Sequence, residues 1–136
     1  MIKRLNPDVD YVDPVWTAAS GLSHAVEVNG LVFLSGLVAM HRNGDGYQLI
    51  AAGDPEAQIE YVLVVLERLL DAVGSSPKAI VSWTLYCTDI DRVDYTTTLG
   101  SWVGEHGPAA AIIGVSRLGL PGLTVELSVT AAKEEQ

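Results

Sequence analysis

The stretch Ser23-His24-Ala25-Val26-Glu27-Val28-Asn29-Gly30-Leu31-Val32-Phe33-Leu34-Ser35-Gly36 decides the fold. Two strand-like runs flank Asn29-Gly30, the pair best suited to the two positive φ angles of a type I′ turn. A two-residue turn sets register, so Val28 is expected opposite Leu31, Val26 opposite Phe33 and His24 opposite Ser35. Opposed residues share a sheet face, which puts His24 and Ser35 together beside an apolar strip.

Before the hairpin, residues 1–21 carry Pro7, Pro14 and scattered polar breaks, and read as a short strand followed by a long surface arm. After it, residues 41–53 hold three glycines with Asn43 and Asp45, and read as a loop. A helix is expected next. Asp54 is its N-cap, Pro55 suits the first turn and Glu56 complements the dipole. Ile59, Val62, Leu63, Leu66, Leu69, Leu70 and Val73 follow at helical spacing, and Gly74 supplies a left-handed stop.

Ile80 to Asp89 reads as a strand with Trp83, Leu85 and Cys87 on one face. Asp91 to about Gly104 reads as a second helix of poor propensity, weakened by Thr96-Thr97-Thr98 and Gly100. Ala109–Arg117 and Leu123–Ala131 are two further strands joined by Gly119-Leu120-Pro121-Gly122. The order β-β-α-β-α-β-β predicts an α+β domain spanning residues 1–136, one mixed sheet covered on one face by two helices.

Composition narrows the function classes. The formal net charge is −9, and the basic residues after Lys3-Arg4 are scattered singly. That argues against nucleic acid, whose phosphates need clustered Lys and Arg. No apolar run approaches the ~18 residues of a membrane span, and the N-terminus lacks the apolar core of a signal peptide. One cysteine, Cys87, gives no disulfide framework and fits a reducing, cytoplasmic setting. His24, His41 and His106 stand far apart, so neither a metal site nor a bound cofactor is expected. The hydrophobic fraction of 49% points to self-association.

Three residues carry candidate chemistry, each beside a plainer explanation. Cys87 sits mid-strand without a basic neighbour, which makes it a buried structural thiol rather than a nucleophile. Ser35 precedes Gly36 at a strand end, offering a hydroxyl and a bare amide to a carboxylate or carbonyl oxygen; an ordinary strand end explains the pair equally well. Glu126 alternates with Val125, Leu127 and Val129, so it faces either solvent or a cleft.

Together these segments resemble the reactive intermediate/imine deaminase family (Rid, or YjgF) from about Leu22 to Ala132. The resemblance rests on Ser23–Val26 and Asn29–Gly36, on Gln58, Leu63, Leu66 and Gly74, and on Thr88-Asp89. Pro108-Ala109, Ser116-Arg117-Leu118 and Val125-Glu126-Leu127 complete it. It implies a chorismate-mutase-like fold assembled as a homotrimer, with small-molecule metabolites bound in clefts between subunits. Active members hydrolyse enamines and imines to 2-keto acids and ammonia. In them an arginine after the Pro-Ala pair clamps the substrate carboxylate, a last-strand glutamate positions water, and the Ser-Gly pair adds a hydroxyl and an amide. Carried over, Glu126 is the catalytic residue, and Ser35, Gly36, Leu22, Ala110 and Ile112 line the substrate. Here Ala110 stands where the arginine belongs and Leu22 where an aromatic hydroxyl belongs, which places the chain with the arginine-lacking branches. Arg117 is seven residues from Ala110, an odd offset that on one strand turns it to the other face. The expectation is a pocket retuned for a less anionic or larger ligand, either still catalytic or a non-catalytic binder.

Overall fold

A computed structural model describes residues 1–43 and 46–134. The hairpin forms as its turn dictates. Strands β2 (Ala25–Val28) and β3 (Leu31–Leu34) pair with Val28 opposite Leu31 and Val26 opposite Phe33. Asn29 (φ 51°) and Gly30 (φ 78°) take the two left-handed positions. Strand β1 (Lys3–Leu5) adds to the outer side of β2.

The arm that follows β1 is not wholly irregular. Residues Pro14–Ala19 form a short helix, α1, whose Asp13 cap accepts from Val15 N (3.2 Å). The signal is the one used for the long helix, since Asp13-Pro14 repeats Asp54-Pro55. The reading of residues 41–53 as a loop is also corrected. Strand β4 (Leu37–Val38) leads into a two-stranded ribbon, β5 (Met40–Asn43) against β6 (Gly46–Leu49). The rest of that loop expectation, at residues 44–45, lies outside the described residues. Arg42 N donates to Tyr11 O (3.1 Å), so the arm gives the ribbon an edge to lean on.

Helix α2 (Pro55–Ala72) is capped by Asp54, whose carboxylate accepts from Ala57 N (3.2 Å). It buries Ile59, Val62, Leu63, Leu66, Leu69 and Leu70. Strand β7 (Ile80–Cys87) ends two residues before the expected Asp89. The second helix is shorter and stranger than expected: after a turn at Ile90–Arg92, Thr96–Gly100 form a π-helical turn that runs into α3 (Ser101–Val103). The threonines explain it. Thr98 Oγ1 donates to Asp94 O (2.7 Å) and Ser101 Oγ to Thr96 O (3.0 Å), competing with the backbone ladder. Gly100 N reaches Tyr95 O (2.8 Å).

Strand β8 (Ala109–Gly114) stops short of Arg117, and β9 (Val125–Ala132) closes the sheet. The order is β1-β2-β3-β9-β7-β8, with only β7 and β8 parallel and β4 also paired to β9. Alternation on β9 is complete: Val125, Leu127, Val129 and Ala131 are buried in one core with α2, the residues between them less so. The α+β sheet covered on one face by two helices is therefore as expected.

Candidate functional site

A register slip builds the site. Phe33 opposes Thr130 on β9, but Leu37 opposes Leu127, so four steps on the hairpin side match three on β9. The extra residue makes a bulge centred on Ser35-Gly36, which leaves the ladder between β3 and β4. Ser35 N stays tied to His24 O (3.0 Å), and Ser35 Oγ donates to Ser23 O. Gly36 N has no partner among the described residues. This corrects the expected pair of free donors. Ser35 offers lone pairs rather than a proton, and the single open amide belongs to Gly36.

Glu126 fills the space beside that amide. A Cβ on Gly36 would run into Glu126 Oε2 and lie 2.9 Å from its Cδ, so only glycine lets the carboxylate lie against the backbone here. The carboxylate is half-buried and has no hydrogen-bond or ion-pair partner among the described residues. Burial pushes its pKa above the ordinary carboxylate value. On the face away from the core, Glu126 therefore meets the Gly36 backbone rather than solvent alone.

Gly36 and Ser35 also line a recess of about 180 Å³ with Leu22, Tyr11, Trp16 and His24. Its walls come from the arm. His24 is buried; its Nε2 donates to Val12 O (3.2 Å) and its backbone N to Asn6 Oδ1 (2.9 Å). Burial above all lowers the His24 pKa, which keeps the ring neutral. Tyr11 is buried too, and its hydroxyl accepts from Val38 N (3.0 Å), the neighbour of Glu126 across β4 and β9. Its pKa is pushed up to about 12, mainly by burial, with the Glu126 charge a minor contributor. Sequence reasoning missed Tyr11, Trp16 and Thr17. Leu22 indeed lacks the aromatic hydroxyl, yet Tyr11 brings one to the same recess from eleven residues upstream.

One chain does not bring Ala110 and Ile112 to this place. They stand in register with Trp83 and Leu85 on β7, whereas Glu126 stands with Tyr86. Alternation puts those rows on opposite faces. All of β8 is exposed along the sheet edge. Because β8 ends at Gly114, the alternation argument does not extend to Arg117; that residue lies in the following loop and lines a groove with Arg92. Cys87 is fully buried and burial raises its thiol pKa, as a structural cysteine requires. Among the described residues no group of three or more His, Cys, Asp or Glu side chains could hold a metal, and no helix is long and apolar enough to cross a membrane.

Gln58 fixes the start of β9. Fully buried, it donates to Ala51 O (3.2 Å) and Gly122 O (2.8 Å) and accepts from Thr124 N (2.8 Å) and Thr124 Oγ1 (2.9 Å). All of its side-chain valences are used, and Glu126 is held two residues beyond.

The chain is similar in sequence and fold to known proteins. The family profile described as Endoribonuclease L-PSP matches residues 14–133. Protein HMF1 of Saccharomyces cerevisiae is 26% identical over 136 residues, covering 99% of this chain and all of that one. A YjgF-family protein from Neisseria meningitidis superposes with a TM-score of 0.73 at 28% identity, covering 100% of this chain and 98% of its own. A member of the YjgF/YER057c/UK114 family from Mycobacterium tuberculosis gives 0.73 at 25% identity, with 97% and 99% covered.

Proposed function

We propose, from the premise that this chain belongs to the Endoribonuclease L-PSP (YjgF) family, that it is a hydrolytic imine and enamine deaminase of altered substrate range. The observation that carries this is the unpartnered Glu126 carboxylate lying against Gly36 beside an open amide. A carboxylate with a raised pKa is a better base at neutral pH than a solvated one. In the reaction, Glu126 takes a proton from water as the oxygen attacks the imine carbon. The nitrogen takes that proton from Glu126 to give the carbinolamine. The carbinolamine hydroxyl then gives up its own proton to the nitrogen by way of Glu126, and the C–N bond breaks as C=O forms, leaving a ketone and ammonia. Ser35 Oγ, an acceptor here, suits an iminium N–H, and Gly36 N–H suits the developing oxygen.

The cleft is completed in a homotrimer, where Ala110 and Ile112 of the partner subunit face Glu126. Their exposure along the β8 edge supports this. A methyl group at 110 removes the bidentate clamp, worth ~1.5–3 kcal/mol for each charge-assisted bond. In a chain of net charge −9 that loss disfavours small imino acid anions and favours neutral imines. The same charge opposes an RNA substrate. A cytoplasmic setting fits the single reduced thiol, Cys87.

Stopped-flow assays on freshly generated imines test the proposal. Wild type is expected to accelerate hydrolysis of imines of 2-oxo esters, and Glu126→Gln to slow it by roughly 10²–10⁴. Ala110→Arg is expected to shift preference toward 2-iminobutyrate. Equal rates for wild type and Glu126→Gln on every imine would leave a metabolite-binding trimer as the better account. Rapid, salt-sensitive RNA cleavage by clean protein would displace both.

A further inference from the structure

We infer that the Ser35–Gly36 recess continues into a second hollow through Trp16, and that the ligand carries an uncharged apolar tail which lies there. The inference rests on the deaminase reading of the first recess and adds the substrate class. The two hollows share Val12, Trp16 and Met40 as a common wall. The first holds about 180 Å³ and the second about 230 Å³. Sites for drug-sized ligands run from ~300 Å³ upward, so the first hollow alone seats only a small head group, and a larger ligand needs both.

Charge identifies the tail. The first recess has no Lys or Arg among its lining residues. The second has Arg42, but Asp13 lies 2.9 Å from it, so the pair brings no net positive charge to draw a carboxylate. What the second hollow does offer is aromatic surface. Trp16 and Tyr47 line it, and each is 54% exposed in the chain. Flat rings left wet beside a pocket gain by covering an apolar or aromatic group.

The walls are also fixed in place, as a specific subsite requires. Asp13 caps α1 through Val15 N, Thr17 Oγ1 donates to Asp13 O (3.0 Å), and Thr17 packs beside the buried His24. Those bonds hold Trp16 from one side. The Asp13–Arg42 pair and the Arg42 N to Tyr11 O bond hold the ribbon wall against the arm from the other.

Calorimetric titration with three ketone probes tests the inference: methyl pyruvate, methyl 2-oxo-4-phenylbutanoate and the free acid of the latter. The phenyl ester is expected to bind at least ~30-fold more tightly than methyl pyruvate, and the free acid more weakly than its ester. Tyr47→Ala, which touches the second hollow and not the first, is expected to remove most of that gain while leaving methyl pyruvate binding within about twofold. Trp16→Ala, on the wall of both hollows, is expected to weaken both probes and to bring their affinities together. Unchanged circular dichroism confirms that the variants fold; Trp16→Leu, which keeps bulk, is expected to retain part of the gain. A phenyl ester no tighter than methyl pyruvate, a gain that survives Trp16→Ala, or a tighter free acid each overturns the inference. If methyl pyruvate still binds and Glu126→Gln still abolishes imine hydrolysis, the deaminase reading survives that failure. Loss of both sinks the two together.

Discussion

Glu126 holds a carboxylate half out of water, with no cation or N–H partner among the described residues to repay the desolvation. Such a group works against the fold at neutral pH. Its folded pKa lies above the ordinary value of 4.5, so the native state binds the proton more tightly than the unfolded chain. Any stability it contributes is present below pH 4.5 and lost as pH rises through the raised pKa. Glu126→Gln is therefore expected to melt higher than wild type at pH 7, with the gain shrinking to nothing below about pH 4.5, read from thermal scans across pH. An unchanged or lower melting temperature at pH 7 would mean that the carboxylate is repaid by contacts within the assembly. At this scale the sequence showed that Glu126 sits opposite the core residues of its strand. It could not show which of solvent or cleft it meets, because the answer depends on a neighbour ninety residues earlier, Gly36.

Among elements, the bulge at Ser35-Gly36 and the clamp at Gln58 matter most, because they place the amide and the carboxylate from two sides. Gln58→Leu keeps the bulk and removes the clamp, leaving Thr124 N and Thr124 Oγ1 without their acceptor, while Gly122 O and Ala51 O keep Gly53 N and Asp54 N. The expected loss is roughly 1–3 kcal/mol, read as a shift of the urea midpoint. A loss below about 1 kcal/mol would mean that water replaces the amide. The elements missed by sequence reasoning are instructive. Helix α1 carried its own signal, an aspartate-proline start, but spans only six residues and depends on packing against His24. The β5–β6 ribbon carried almost none, since its residues are poor strand formers and its second edge comes from the arm. The π-helical turn was visible only as weakness, in three consecutive threonines.

At the scale of the whole molecule, the sheet face away from the helices bears Val26, Val28, Leu31 and Phe33, with Ile113 at its far side. Phe33 is 42% exposed, as is Ile113. A second and third copy covering this face would remove that apolar surface from water. Wild type is expected to sediment at about three times the chain mass of 14.5 kDa, and Phe33→Glu to sediment as monomer at micromolar concentration. A monomeric wild type would remove the trimer and with it the role given to Ala110 and Ile112. By itself the sequence determined the hairpin, the long helix, the faces of β7 and β9 and hence the layered sheet. Those follow from spacing along the chain, where a period of two or of 3.6 fixes which side chains point inward. Only the tertiary structure decided that a single extra residue frees the Gly36 amide, and that Tyr11, Trp16 and His24 meet at the recess beside it. Local periodicity cannot count residues on a strand it does not yet pair with, nor close a loop whose two ends attract each other only once the core has formed.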